Sequence, residues 1–297
     1  MKSFTLIQTL LLFIIPTSVF AQQWSQLEIL DVVSGEITVV KRFDSRVEAP
    51  EWTKDGKYLY FNTNGRIKKI SPDGGDVTVV DTGNIVQCNN DHVISPDGKF
   101  LAVSAGDGGK GSRIHVLPTG GGTPKLVTEK GPSYLHGWSP DGKTLVFTGN
   151  RGTNFDIYAI SPSGENETQL TTHEGLDDGP EFSPDGKSIW FNSVRSGLMQ
   201  IWKMNSDGTE QKQVSNEDAN CWFPHVSPDG KNVVYLVYAK GDVNPSEHPA
   251  NKNVRLCLIP AEGGEPKTLV TLYGGQGTIN VNSWSPDSKR IAYIRYQ

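Results

Sequence analysis

Few residues in this 297-residue chain are of types that do chemistry, and they are widely spaced. His92, His136 and His248, with Glu48 or Asp178, are the only plausible ligand set for a divalent metal, because imidazole nitrogen and carboxylate oxygen are the donors such an ion takes. No His-x-His or Cys-x-x-Cys spacing accompanies them. The expectation is therefore no cofactor, with a divalent metal as the alternative. Asp177, Asp178 and Glu181 have the chemistry of paired carboxylates for glycoside hydrolysis, but sequence neighbours on an extended segment point in opposite directions, so a solvated loop is expected instead. Arg151 and Arg195 are cations that could receive a carboxylate from a peptide terminus or an acidic sugar. Cys88, Cys221 and Cys257 are too few and too far apart for a disulfide framework and read as small core residues. There is no Gly-x-Ser-x-Gly elbow, phosphate loop or dinucleotide fingerprint.

The elements that must position these residues follow from an internal repeat. Six turns recur: Thr53-Lys54-Asp55-Gly56-Lys57, then Ser-Pro-Asp-Gly-Lys beginning at Ser95, Ser139, Ser183 and Ser227, then Ser285-Pro286-Asp287-Ser288-Lys289. Their aspartates lie 42, 44, 44, 44 and 58 residues apart. Asp-Gly supplies the positive φ angles of a tight turn between antiparallel strands. Each turn follows a large residue (Trp52, Ile94, Trp138, Phe182, Val226 or Trp284) and precedes a short strand apolar on both faces, the pattern of strands covered on both sides. Repeats of this length predict an all-β, six-bladed β-propeller with four-stranded blades. The last repeat stops after its second strand, while residues 27–31 and 37–40 are unpartnered third and fourth strands. The last blade is thus expected to be closed by strands from both termini.

In such a blade the second-to-third loops and the blade crossings share one face, and a site is expected at the funnel there. Four positions before each large residue, the crossings offer Glu48, Asn90, Tyr134, Asp178, Trp222 and Asn280, and two positions before it they offer His92 and His136. A polar ring with two aromatics suits a binding funnel. The 58-residue spacing places about 14 extra residues, 239–252, in the second-to-third loop of blade five, so that Glu247 and His248 overhang the same face. Lys110, Arg151 and Arg195 join its rim. Because Arg151 and Arg195 occupy equivalent repeat positions, a repeated structural role competes with ligand binding.

At the amino end, Lys2 precedes an apolar run from Leu6 to Phe20 and then Ala21, the order of a cleavable signal peptide over residues 1–21. Residues 22–297 are read as a single propeller domain, periplasmic or secreted, with no membrane span after cleavage. The formal charge of −5 argues against nucleic acid as a partner.

The Ser-Pro-Asp-Gly-Lys turn, the third strand at Ile157-Tyr158 and the fourth at Gln169-Leu170-Thr171 together resemble the WD40-like repeat of TolB propellers, from about Gln26 to Tyr293. The resemblance covers the propeller part only. It implies a non-catalytic binding module for a peptide, a protein partner or a glycan at the funnel face. The same repeat in oligogalacturonate lyases makes a metal-assisted carbohydrate lyase the alternative.

Overall fold

A computed structural model describes residues 24–106, 108–109 and 111–297; the expected signal peptide and Lys110 lie outside the described residues. It contains six sheets arranged as blades and, among the described residues, no helix. In blades one to five the innermost strands are Glu48–Trp52, Cys88–Ile94, Ser133–Trp138, Asp177–Phe182 and Ala219–Val226, each leading an antiparallel four-stranded sheet. All three cysteines are free and buried.

The six turns are built alike. The Ser or Thr hydroxyl donates to the aspartate at 2.6–2.7 Å, and the same aspartate oxygen accepts the amide of the following lysine. Five carry glycine at a left-handed φ of about 71–73°; Ser288 holds the place at φ 60° and accepts an Asp229 amide hydrogen bond at 3.0 Å. The large residues before the turns do join blades, as Trp138 Nε1 donates to Val93 O and Trp284 Nε1 to His225 O, both at 3.0 Å.

Blade six is closed by the two ends of the chain. Ser25–Asp31 lies between Ile37–Phe43 and the terminal strand Arg290–Tyr296, which it meets antiparallel from Ser25↔Tyr296 to Asp31↔Arg290. This differs from the four-stranded expectation in one detail: the innermost strand of blade six is reduced to a Trp284↔Ile291 bridge. The reason is local, since Ala292 N donates to Ser283 O and Ile294 N reaches back to Thr278 O, which bends the segment away from a continuous ladder.

Ile294 is fully buried in a cluster with Leu27, Ile29 and Phe61, so it packs the closing strand onto blade one. Ile294→Ala is expected to cost about 2–5 kcal/mol of global stability by cavity formation. Urea unfolding should show a lower midpoint at unchanged slope; an unchanged midpoint would mean that the terminal strand stands outside the cooperative ring.

Candidate functional site

The innermost strands are not regular. Each of the five carries a register shift: Glu48/Glu51, Cys88/His92, Leu135/Gly137, Asp178/Glu181 and Trp222/His225. Three of these bulges put a residue in the left-handed region, Ala49 at φ 55°, Gly179 at 63° and Phe223 at 55°. A bulge adds a residue opposite the neighbouring strand and re-aims the side chains around it. Gly179 is required there, because a Cβ would lie 2.7 Å from Asn192 Oδ1, the atom that accepts the Phe223 amide at 3.0 Å.

The bulged segments surround a cavity of about 390 Å³ on the funnel face. Of the residues expected at the funnel, Asn90, Tyr134, His136, Asp178, His248 and Asn280 line it. Five others do not. Trp222 is fully buried beneath His248, with ring centroids 4.4 Å apart, because the inserted loop of blade five covers it. His92 stands in the regular pleat opposite Val103, after the bulge of its strand has ended, and its ring is fully buried; burial holds its pKa down to about 4. Glu48 pairs with Arg46 at 2.6 Å, and burial raises its pKa against the pull of that arginine.

Arg151 and Arg195 are engaged inside their blades. Arg151 binds Glu167 at 2.9 Å and Ser133 Oγ at 2.8 Å, and stacks over Phe147 and Tyr158. Arg195 binds Asp177 at 2.6 Å and Gln211 at 2.5 Å, over Phe191 and Trp202. In each case the partner stands sixteen residues on, at equivalent repeat positions, as the equivalence of the two arginines suggested for a repeated structural role. The expectation of a solvated loop for Asp177, Asp178 and Glu181 is also overturned. All three are buried on one strand: Asp177 pairs with Arg195, and Glu181 holds His225 Nδ1 at 2.6 Å and the Val226 amide at 2.9 Å.

Sequence reasoning missed Asp91, Phe155, Leu176, Phe223 and Gln276, all of which line the cavity. Asp91 faces it beside Asn90, both lying inside the Cys88/His92 bulge, and Phe223 faces it because the Trp222/His225 bulge displaces the alternation that places Trp222 there.

At the floor of the cavity Asp178 is the hub. Thr148 Oγ1 and the Gly179 amide donate to its Oδ1 at 2.6 and 2.8 Å. His136 Nε2 stands 3.3 Å from Oδ1 and His248 Nε2 3.6 Å from Oδ2. Burial alone would raise the Asp178 pKa, but the hydrogen bond and charge of His136 and the charge of His248 hold it at about 2. Burial pulls His136 down, yet the Asp178 hydrogen bond and the charges of Asp91 and Asp178 leave it raised. Burial wins at His248, which is lowered. Asp91 is pushed up to about 7 by burial, against the attraction of His136. His136 also lines the cavity of about 310 Å³ at the turn face, so its ring stands between the two mouths of the channel.

These shifts set a sign. His136, raised in the fold, contributes stability that is complete below its ordinary 6.5 and is lost as pH rises through the folded value; Asp178, lowered from 3.8, contributes stability lost as pH falls toward about 2. Asp178→Asn should therefore destabilise most between about pH 4 and 6.5, and it should lower the His136 pKa, because burial then acts against less opposition. Thermal unfolding across pH and the imidazole Cε1 proton shift test the two effects; a His136 pKa unmoved by the substitution would break the assignment.

A protein-family model described as the TolB beta propeller domain matches residues 112–269. An uncharacterised protein of Agrobacterium fabrum is 44% identical over 273 residues, covering 92% of each chain. Among solved structures, a putative TolB from Agrobacterium tumefaciens superposes with TM-score 0.89 at 44% identity, over 93% of this chain and 99% of that one. TolB from Acinetobacter baumannii, at 20% identity and TM-score 0.69, shares the fold over 86% of this chain and 65% of its own. Six Asp-centred turns, a ring closed by both ends of the chain and a 44% identical relative along nearly its whole length lead to one assignment: the chain belongs to the TolB β-propeller family.

Proposed function

We propose that this protein is a non-catalytic binding module of the periplasm or cell exterior, and that its funnel cavity takes an extended peptide segment of a protein partner. The observation that carries this reading is the composition of the cavity wall. The carboxamide of Asn90 and the amide groups of Asn280 and Gln276, whose oxygens are engaged by the Gly277 amide and by His248 Nδ1, share the wall with the rings of Tyr134, Phe155 and Phe223. Such a wall suits peptide groups flanked by apolar side chains, and its volume lies within the usual range for ligand sites. A neutral glycan would use the same carboxamides and rings and is a competing ligand in the test below.

The residues support a metal-assisted lyase less well. The cations such an enzyme would turn toward an acidic sugar, Arg151 and Arg195, are held in internal ion pairs, and no arginine or lysine lines the cavity among the described residues. Of the proposed ligand set, His136 and His248 are both turned to Asp178, which ties them together as an internal contact, while His92 is buried in its blade and Glu48 is paired with Arg46. Among the described residues no three His, Cys, Asp or Glu groups converge as a metal site.

Peptides selected from a display library on the purified protein should lose about tenfold or more in affinity with Tyr134→Ala or Phe223→Ala, the loss of one aromatic anchor each. Selected peptides that bind both variants as well as the wild type would move the site off the funnel, and selection of only neutral oligosaccharides from a parallel array would replace the peptide. For the export part of the reading, the intact mass of protein recovered from outside the cytoplasm should correspond to a chain starting at Gln22. A cytoplasmic chain still starting at Met1 would refute it.

A further inference from the structure

We infer, on the reading that the cavity binds peptide, that it recognises a primary ammonium group of that peptide and seats it against the carboxylate of Asp91. The chemistry is common to a lysine side chain and a free amino terminus.

Asp91 is the starting point because, among the described residues, it is the buried carboxylate near the channel that carries neither an arginine or histidine ion pair nor a backbone amide. Glu28 is bound by Arg295, Glu48 by Arg46 and Asp177 by Arg195. Glu51 accepts the Ile94 amide of the next blade at 2.9 and 3.1 Å, and Glu181 holds His225 and the Val226 amide. Asp91 is 4% exposed, lines the cavity, and has only the neighbouring Asn89 side chain as a hydrogen-bonding neighbour of its carboxyl. A buried carboxylate without a partner is costly, and a structure keeps one where something else completes it.

A second observation concerns the neighbour of that carboxylate. His136 Nε2 is turned to Asp178, and its buried Nδ1 makes no well-formed hydrogen bond although the ring also faces the Asn280 backbone carbonyl and lines the same cavity. An imidazolium N–H that is only loosely engaged can take a better acceptor, and a peptide carbonyl beside the ammonium would supply it. The wall completes the fit: Tyr134, Phe155 and Phe223 offer faces to an aliphatic stem and a cation.

The site couples binding to a proton. Asp91, held at about 7 by burial, is largely protonated below neutrality, and an arriving ammonium must displace that proton. The groups that face Asp91 are His136, Asp178, Tyr134 and Glu48 with its Arg46, and His248 stands beyond Asp178. Of these His136 also titrates nearby, and its loss of charge as pH rises acts in the same direction as ionisation of Asp91.

The test uses three tripeptide amides as probes: acetyl-Ala-Lys-Ala, acetyl-Ala-norleucine-Ala, and Ala-Ala-Ala with a free amino terminus. Calorimetry at pH 8 should show the lysine probe or the free-amine probe binding at least tenfold tighter than the norleucine probe, and which of the two does so identifies the source of the ammonium. The affinity of that probe should rise by up to about a hundredfold from pH 5 to pH 8, and titrations of wild-type protein in two buffers of different ionisation heat should show about one proton released near pH 6. Asp91→Asn, checked for an unchanged fold by its melting transition, should remove the preference over norleucine and most of the pH slope, the remainder reporting His136. Binding of both amine probes no tighter than the norleucine probe, or an unaltered preference in Asp91→Asn, overturns the ammonium inference and leaves the peptide reading standing. Failure of all three probes, together with failure of the library peptides above, overturns both.

Discussion

The structure depends on one pairing, the terminal strand Arg290–Tyr296 against Ser25–Asp31. It is the contact with the largest sequence separation in the protein, and until it forms every other blade belongs to an open row with two free edges. The register is pinned by more than the ladder. Glu28, buried at the centre of the pairing, binds Arg295 at 2.9 Å and accepts a hydrogen bond from Tyr293. Breaking the pairing would leave that carboxylate buried and unpaired, so the sheet and the ion pair stabilise each other. Closure also sets the channel, because only a complete ring gives all the innermost strands a common axis.

A closed ring creates a second problem. Each innermost strand has an edge toward the channel with no strand to pair with, and its buried backbone groups need partners. Two blades solve this with glutamate: Glu51 and Glu181 each reach to the next blade and accept the amide of its large residue, Ile94 and Val226. Toward the funnel the solution is the bulge, which bends the strand away from the axis and opens the cavity. The two devices sit on the same strands a few residues apart. The left-handed residues and the inward-facing carboxylates are thus consequences of ring geometry before they are features of a site.

This explains what could be read in the sequence. The turns were legible because each is a local structure, an aspartate closing on a hydroxyl and an amide two residues either side. The large residues, the middle strands and the shared last blade followed from the repeat length and from the strands left over at the ends. At the funnel, Asn90, Tyr134, His136, Asp178 and Asn280 were legible because counting back from the turn lands at the bulged mouth of the channel in these blades, and His248 because an irregular spacing announced the loop that carries it. Asp91 and Phe223 were not, since a bulge shifts the pleat by a residue and no residue type marks it reliably: the three left-handed positions are filled by alanine, glycine and phenylalanine. Trp222 was misplaced for a different reason, a cover supplied by a loop more than twenty residues away.

The layers of the propeller also divide by how alike the six repeats are. On the turn face the same aspartate recurs in the same geometry, and a group repeated around a ring can hold a scaffold but cannot orient an asymmetric ligand. At the funnel the equivalent positions are unlike one another, and the one long loop increases the difference by bringing His248 of blade five onto Asp178 of blade four. That contact ties the loop to the floor of the cavity, buries Trp222 beneath it and leaves Phe223 as the aromatic wall. Burial and neighbouring charge then separate two aspartates of the same chemistry: Asp178 is ionised and fully engaged, whereas Asp91 titrates near neutrality with almost nothing to hold. Specificity is therefore expected where the repeat is broken and stability where it is kept, and the cavity beside Asp178 is where the break is deepest.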